Sequence, residues 1–511
     1  AIITTTPSTD AQIGGTFQPG GTGIGLAEVN GRFRLSSTAL NIQINDNNAS
    51  GTIAGTDYDA ITLTSGNAFV DNATLSVTDL GSTELGIEPM TILRQQGGGA
   101  INGTFAGLPE GATVSSGAFD YIISYVGGDG NDVTLTLNAQ TNVTLASGEL
   151  LIEDLVNKND DLTLSYGSGI YTITDNNGDS ISCAISGSTG SGTSTVTIPD
   201  TGITSVIVNT LGGNDNFELD FSGGNFNVPI NYEGGTQTTG DAMALTGGGT
   251  FATVIHNFIN ENDGNVQVTG NSSINYTGLE PITDNLAATD RVFNFTGGTE
   301  TIVLSDDADV GDNMSMIDST LGEVVTFTNP TNSLTINTET SGGSGDDVVS
   351  IRGVDSNFDA ALFVNGGTTD NVLFETAETN RNSGTLNISA NKISILQNIT
   401  TTSDITLTSE EQTIVNGAFT VESTDGNITV NAGTAPETGD DFVGILVSAG
   451  ATVQTTGNGN ITLEGTGFGD GQDGRYGIQI GNSGTVRTTG SGLVTLRGFG
   501  ATNGLEFNYG T

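Results

Sequence analysis

The sequence has a single cysteine, a single histidine and no tryptophan, and only nine of its 511 residues are proline. One cysteine excludes a disulfide within the chain, and one histidine excludes a zinc site built from clustered histidines. Cys183 alternates with apolar neighbours in DSISCAISG, which indicates a thiol packed in a core. His256 lies in the apolar stretch FATVIHNFIN, so we expect a structural and not a catalytic role for it.

Basic residues are scarce, because 11 Lys and Arg stand against 58 Asp and Glu, for a formal net charge of −47. Nucleic-acid binding needs clustered cations that displace counterions, and the sequence has no such cluster. An anionic membrane surface would repel the chain, and no apolar run reaches the roughly 18 residues of a membrane span. We therefore expect neither nucleic-acid binding nor membrane insertion. The acidity favours solubility and attracts divalent cations.

Helical periodicity is missing, and apolar residues come in short alternating runs between turns rich in glycine, which numbers 76 residues. Alternation with a period of two is typical of strands with one buried face. This pattern predicts an all-β fold with no significant helix. The apolar content is too high and too regular for a disordered chain.

The C-terminal part repeats with a fixed step. GNITVNAG begins at Gly426, GNITLEG at Gly459 and GLVTLRG at Gly492, and two shorter motifs between them keep the same 33-residue step. A repeat of this length with about three short strands is typical of a parallel β-solenoid, in which each strand pairs with its counterpart one coil later. The inward positions predicted to stack in the core are Ile428, Val430, Ile461, Leu463, Val494 and Leu496.

Three regions follow from these patterns. Residues 1–140 are predicted to form a β-rich module that ends in GGDGNDVTLTLN, residues 141–385 an irregular β-solenoid with Gly-Gly-x-Asp loops, and residues 386–511 regular parallel β-helix coils. Coils of about 33 residues that rise about 4.8 Å each would make an elongated rod roughly 70–75 Å long. Because the third C-terminal copy is incomplete, we expect the coils to continue beyond the last residue.

Two segments resemble a known class of proteins. GTDYDAITLTSG followed by ATLSV, GTFAGLPEGATV and YIISYVGGDGNDVTLTLN is similar to a module of very large secreted surface proteins of Gram-negative bacteria. These are autotransporter passengers and filamentous-haemagglutinin-type adhesins, and the coils around GNITLEGTG resemble the same proteins. The resemblance covers about residues 50–137 and 420–505. It implies an extracellular, non-enzymatic protein at the cell surface, such as an adhesin stalk, a matrix component or a fibre subunit.

Two glycine-rich turns match part of a calcium motif, G-G-x-G-x-D-x-U-x, in which U is apolar. GGDGND at Gly127 fits the first six positions, and GGSGDDVVS at Gly342 also has an apolar residue at position eight. The alternative is a sharp turn, in which glycine adopts a positive φ and Asp or Asn closes an Asx-turn before a strand. One loop supplies only some of the six to eight oxygens that calcium needs, so a neighbouring coil must supply the rest. The candidate ligands are Asp129, Asn131, Asp132, Asp346 and Asp347.

A third acidic loop, DADVGDNMSMID, matches positions one, three and twelve of a hand-type calcium loop. Its glycine stands at position five instead of six, and aspartate replaces the bidentate glutamate. Asp307 and Asp309 are its candidate ligands, and a solvated acidic loop is the alternative. Ca²⁺ is the only cofactor that the sequence suggests.

These observations favour a stalk or self-assembling filament subunit, secreted to the cell surface or its matrix. The partners would be further copies stacked end to end, or the continuation of a longer chain. One alternative is an adhesin that binds a cell-surface glycan through loops such as GTGFGDGQDGRYG from Gly465. Another is a β-helix polysaccharide lyase or hydrolase, which the scarcity of basic residues and of aromatic groove residues disfavours.

Overall fold

Short strands with alternating buried and exposed positions make up most of this computed structural model. It describes residues 2–4, 11–47, 52–237, 240–296, 298–339, 345–380, 383–435, 442–468 and 476–500. Within these ranges the one helical segment is a three-residue 3₁₀ turn, Phe221–Gly223, so the all-β prediction is confirmed. No helix in the described residues is long and apolar enough to cross a membrane.

The strands are mostly three to eight residues long, and glycine, asparagine and aspartate turns separate them. The first twenty-one strands have the following bounds: β1 Ile2–Thr4, β2 Ala11–Phe17, β3 Leu26–Asn30, β4 Phe33–Ile44, β5 Ala60–Ser65, β6 Ala68–Phe69, β7 Thr74–Asp79, β8 Met90–Gln95, β9 Ile101–Asn102, β10 Thr113–Ser115, β11 Asp120–Gly127, β12 Asp132–Leu137, β13 Thr141–Ala146, β14 Glu149–Asp154, β15 Asp161–Gly167, β16 Ile170–Asp175, β17 Ile181–Cys183, β18 Thr195–Pro199, β19 Ser205–Asn209, β20 Gly212–Gly213 and β21 Asn216–Asp220.

The remaining strands follow the same style. Their bounds are β22 Ile230–Glu233, β23 Thr236–Gln237, β24 Ala242–Thr246, β25 Phe251–Phe258, β26 Gly264–Val268, β27 Ile274–Thr277, β28 Ile282–Asp284, β29 Ala288–Asn294, β30 Thr301–Asp306, β31 Met314–Ser319, β32 Gly322–Thr328, β33 Ser333–Asn337, β34 Val348–Ile351, β35 Ala361–Asn365, β36 Asn371–Phe374, β37 Thr379–Asn380, β38 Leu386–Ile395, β39 Ile399–Thr401, β40 Ile405–Val415, β41 Thr420–Ser423, β42 Ile428–Ala432, β43 Ile445–Val447, β44 Thr452–Thr455, β45 Ile461–Thr466, β46 Ile478–Ile480, β47 Thr485–Thr488 and β48 Val494–Phe499.

The chain forms two compact units, Ala1–Glu218 and Leu219–Thr511. In the first unit, seven strands form a sheet in the order β1, β3, β5, β8, β12, β11, β10, and a second sheet contains β2, β4, β6, β9 and β7. The first sheet is mixed, because β1, β3, β5 and β8 pair in parallel while β8, β12, β11 and β10 pair antiparallel. The inward side chains of both sheets share one apolar core, which includes Phe33, Leu63 and Ile92.

The rest of the first unit is built from hairpins whose strands also pair in parallel with later strands. β13 and β14 form an antiparallel hairpin, as do β15 and β16. β13 then pairs in parallel with β17, and β14 with β19. Cys183 at the end of β17 is free and fully buried, so the predicted packed thiol is confirmed. Burial raises the pKa of this thiol, which disfavours the reactive thiolate.

The second unit combines a long parallel series of strands with antiparallel hairpins. β25, β29, β33, β35, β38, β40, β42, β45 and β48 pair in parallel, each with the next. β26 and β31 are antiparallel insertions in this unit, since β26 pairs antiparallel with β25 and β27, and β31 with β30 and β32. A uniform parallel fold with 33-residue coils therefore does not describe the whole chain. The 33-residue step joins Asn427 to Asn460, but other steps are 43 and 28 residues.

A ladder of asparagine side chains runs along the parallel series of the second unit. Asn294 Nδ2 donates to Asn257 Oδ1, Asn337 Nδ2 to Asn294 Oδ1, and Asn365 Nδ2 to Asn337 Oδ1, each at 2.7 Å. Each pair stands directly opposite in the register of β25, β29, β33 and β35. The ladder fixes the register, because a shift by one residue would turn these amides to the apolar face.

The predicted inward positions of the C-terminal coils are buried in β42 and β45 but not in β48. Ile428, Val430, Ile461 and Leu463 are at most 3% exposed, as the alternation predicts. Val494 is 39% exposed and Leu496 is partly exposed, so their prediction as core residues is wrong. The physical reason is that β48 is the last strand of its sheet in the described residues, and nothing there covers its inner face.

Candidate functional site

Buried acidic residues stand directly before several strands of both units. The sequence places them at the end of a glycine-rich or amide-rich turn, where the backbone enters the sheet. The members of this set are Asp160 before β15, Asp215 before β21, Asp241 before β24, Glu300 before β30, Asp347 before β34 and Asp370 before β36, all at most 3% exposed.

The carboxylates of these acids accept hydrogen bonds from one another's backbone N–H groups across paired strands. In the second unit, the Glu300 N–H donates to Asp347 Oδ1 at 2.8 Å, and the Asp347 N–H donates to Asp370 Oδ1 at 3.0 Å. In the first unit, the Asp160 N–H donates to Asp215 Oδ1 at 2.8 Å. Such charge-assisted bonds are stronger than neutral ones, so the carboxylates anchor the turn of one strand to the next.

Two of these acids, Asp347 and Asp370, form a cluster with Glu339. One carboxylate oxygen from each of Glu339, Asp347 and Asp370 lies within 4.8 Å of the other two. Asp347 and Asp370 come together because β34 and β36 pair in parallel, with Val348 opposite Asn371. Glu339 approaches from the segment that follows β33. A Cβ atom on Gly367 would lie only 2.7–2.9 Å from the Glu339 carboxylate, so this glycine leaves room for that group.

The hydrogen bonds of the cluster are unequal. Asp370 is well satisfied, since Oδ2 accepts from the Gly367 N–H and from Thr338 Oγ1, both at 2.6 Å. Asp347 Oδ2 is buried and has no hydrogen-bond partner, and the same is true of Glu300 Oε1. No Lys, Arg or His among the described residues pairs with any of the three clustered carboxylates.

Burial and mutual repulsion disfavour the ionised forms in this cluster. Burial, together with the charges of Asp370, Glu339 and Asp346, raises the pKa of Asp347 to about 6. Burial and the charges of Asp347 and Asp370 raise the pKa of Glu300 to about 7. Burial and the Asp370 charge also raise the pKa of Glu339. A positive ion between these groups would reverse this effect.

The structure separates the two candidates of the motif at Gly342. Asp346 is exposed, whereas Asp347 is fully buried in the cluster. The first glycines of the motif belong to residues 340–344, which lie outside the described residues. Sequence reasoning missed Glu339 and Asp370 as partners of Asp347. The signal for Asp370 was present, because NGGTTDNVLF repeats the skeleton of a strand, two glycines, an acid and a strand.

In the motif at Gly127, the candidates Asn131 and Asp132 connect the β11–β12 turn to the end of β8 and the segment that follows it. Asp132 Oδ1 accepts from the Gln95 N–H at 2.6 Å, and Asn131 Nδ2 donates to the Gly99 carbonyl at 2.9 Å. The third candidate, Asp129, is exposed in the turn. Gly128 and Gly130 have φ of 59° and 104°, values that glycine adopts without strain. These contacts favour the alternative of a sharp turn at this motif.

The third candidate loop connects the antiparallel strands β30 and β31. The Asp309 N–H donates to Asp307 Oδ1 at 3.2 Å, which is an Asx-turn within the loop. Asp318, the twelfth position, lies inside β31 opposite Val303 and not in the loop. A hand-type loop is flanked by helices, so this β-hairpin has a different geometry.

The single histidine belongs to a buried polar triad. His256 Nε2 lies 2.8 Å from Asp284 Oδ2, and Arg291 contacts the same oxygen. All three residues are fully buried. In the loop considered for glycan binding, residues 469–475 lie outside the described residues.

No protein-family model matches the chain, and no curated protein matches it significantly. The resemblance to secreted surface proteins therefore stays a prediction.

Proposed function

We propose that this chain is a parallel β-solenoid segment of a secreted, non-enzymatic surface protein, which serves as a stalk or as a self-assembling fibre subunit. The observation that carries the proposal is the in-register stacking of the C-terminal strands. Ile428 pairs with Ile461, and Ile461 with Val494, and Ile445 pairs with Ile478 in the same way. Each turn of this pattern is one coil of the proposed solenoid.

The exposed apolar face of the last strands supports end-to-end assembly. Ile480 and Val494 are 41% and 39% exposed, although their counterparts in the preceding coil, Val447 and Ile461, are fully buried. β48 is also an edge strand in the described part of the sheet. Its outer edge can pair with a further parallel strand in the way that β45 pairs with β48. An open parallel edge with an apolar inner face is a template for another coil. A further copy of this chain is the partner that we propose.

The acidic residues support a structural role over an enzymatic one. A glycosidase needs two carboxylates placed on either side of a bond in an open groove. The turn carboxylates Asp215, Asp347 and Asp370 instead accept backbone N–H groups of neighbouring strands. These bonds connect neighbouring strands of the sheet. The net charge of −47 favours solubility of the chain.

Sedimentation velocity of residues 1–511 at increasing protein concentration tests the proposal. We expect species larger than a monomer that grow with concentration. We expect Val494→Lys to suppress them, because it places a charge on the apolar face that the next copy must cover. Val310→Lys is the matched control, since Val310 is 80% exposed in the β30–β31 loop. A wild-type chain that stays monomeric at every concentration would contradict self-assembly, as would equal suppression by both variants.

A further inference from the structure

Three carboxylates from separate parts of the chain converge in the second unit. Glu339 follows β33 by two residues, Asp347 directly precedes β34, and Asp370 directly precedes β36. One oxygen of each lies within 4.8 Å of the other two. Parallel pairing of β34 with β36 places Asp347 and Asp370 at equivalent positions of adjacent strands. The fold therefore holds Asp347 and Asp370 together, and Glu339 reaches them through its flexible side chain.

A second observation points to a missing positive ligand. Asp347 is fully buried, its Oδ1 accepts from the Glu300 N–H, and its Oδ2 has no partner. Glu300, whose backbone makes that bond, is 3% exposed and also has an unpartnered buried oxygen, Oε1. Buried carboxylates are almost always paired, hydrogen-bonded or bound to a metal. Within the described residues no protein group takes that role for these two oxygens.

We propose that Glu339, Asp347 and Asp370 bind one divalent cation, with calcium as the ion that the donor set favours. The cation would accept Asp347 Oδ2 as a ligand and neutralise the carboxylates that no basic residue neutralises. Its coordination would join the segment after β33 to the starts of β34 and β36. This site goes beyond the structural role proposed above and does not depend on self-assembly.

The donors decide between calcium and other ions. All three are carboxylates, which suit hard cations, and no histidine or cysteine is among them. Two oxygens on the same Ca²⁺ are at most about 5 Å apart, which accommodates the spacing of this cluster. Magnesium demands a near-ideal octahedron and keeps most of its water, which an irregular, largely buried set from three segments does not favour.

Calorimetric titration of calcium chloride into residues 1–511, after removal of metal with EDTA, tests the site. We expect a binding phase in the wild type that Asp347→Asn abolishes or weakens at least tenfold. Asp346→Asn is the matched control, because it removes the same charge from the adjacent, exposed position and should leave that phase unchanged. Magnesium chloride at the same ionic strength measures the non-specific binding expected of so acidic a chain.

Gly367→Ala tests the site without removing any charge. The added methyl group would displace the Glu339 carboxylate, which is the flexible end of a side chain, so the fold should survive. We expect this variant to weaken calcium binding and to keep the metal-free melting temperature close to that of the wild type. Circular dichroism of each variant checks the fold.

Two results would overturn the proposal. One is a wild-type chain whose calcium titration equals its magnesium titration. The other is an Asp347→Asn variant that is folded and binds calcium as tightly as the wild type and Asp346→Asn. Loss of the phase in Asp347→Asn and Gly367→Ala, with retention in Asp346→Asn, would establish the site.

Discussion

His256 Nε2 lies 2.8 Å from Asp284 Oδ2, and both side chains are fully buried in the second unit. Burial lowers the pKa of His256, so the imidazole is neutral at pH 7 and its Nε2–H donates to the carboxylate. Although burial acts to raise it, Arg291 and His256 hold the pKa of Asp284 below its ordinary value. The positive partner of Asp284 is therefore Arg291, whose Nη2 also donates to the Leu286 carbonyl at 2.8 Å.

Removing the charge of Asp284 should destabilise the second unit strongly. Asp284→Asn leaves the Arg291 guanidinium buried without a counter-ion, which typically costs about 3–5 kcal/mol. Urea unfolding monitored by circular dichroism would measure the loss. Asp425→Asn is the control at an exposed carboxylate, and its effect should be below about 0.5 kcal/mol. Equal effects of the two substitutions would contradict the assigned pairing.

Glu323 should make the stability fall as pH rises. Burial, with the nearby charges of Glu280, Asp263 and Glu261, raises its pKa from the ordinary 4.5 to about 9, and both of its carboxyl oxygens lack partners. Between these pH values the folded chain keeps a proton that the unfolded chain has released, so the free energy of unfolding decreases with pH. The stabilising contribution is complete below pH 4.5 and is lost as pH rises toward 9.

Glu323→Gln tests this pH dependence. The neutral amide keeps the shape and removes the titration, so the loss of unfolding free energy between pH 5 and pH 8 should shrink by roughly 4 kcal/mol. Denaturant unfolding of the wild type and the variant at pH 5 and pH 8 measures this change in free energy. Glu149→Gln changes an exposed glutamate and should leave the pH dependence as in the wild type. A variant with an unaltered slope would show that Glu323 is ionised in the folded chain.

The contribution of each asparagine to stability should depend on its position in the asparagine ladder. Asn337 both donates to Asn294 and accepts from Asn365, so Asn337→Ala breaks two side-chain hydrogen bonds. At about 1 kcal/mol for each bond we expect a loss near 2 kcal/mol. Asn365→Ala breaks only the bond at the end of the ladder and should cost about half as much. Thermal unfolding of both variants checks the ratio, and a larger loss for Asn365→Ala would contradict the ladder.

The sequence was most informative where the repeat was most regular. The step of 33 residues between Ile428 and Ile461 could be predicted because like residues recur at equal spacing, and the structure pairs them in that register. The exposed Val494 was not predictable, because the pattern describes the face of a strand and not whether another strand covers it. The antiparallel insertions were not predictable either, because alternation indicates a strand but not the direction of the strand that pairs with it.

Only one of the three acids in the cluster could be predicted from the sequence. Asp347 was found through its glycine-rich motif, but Asp370 is 23 residues away, a distance unlike the C-terminal repeat. Asp284 is 28 residues from His256, so the triad gave no local signal either. Contacts of this kind depend on the irregular length of each connection. That length sets which residues meet across parallel strands.

Electron micrographs of residues 1–511 with calcium present test the proposed end-to-end assembly. We expect filaments longer than one chain, whose diffraction repeats at about 4.7–4.8 Å along the axis because coils of successive copies continue one parallel stack. Isolated particles the size of a single chain at all concentrations would contradict end-to-end assembly. Filaments whose strands run parallel to the axis would contradict the stacked coils themselves.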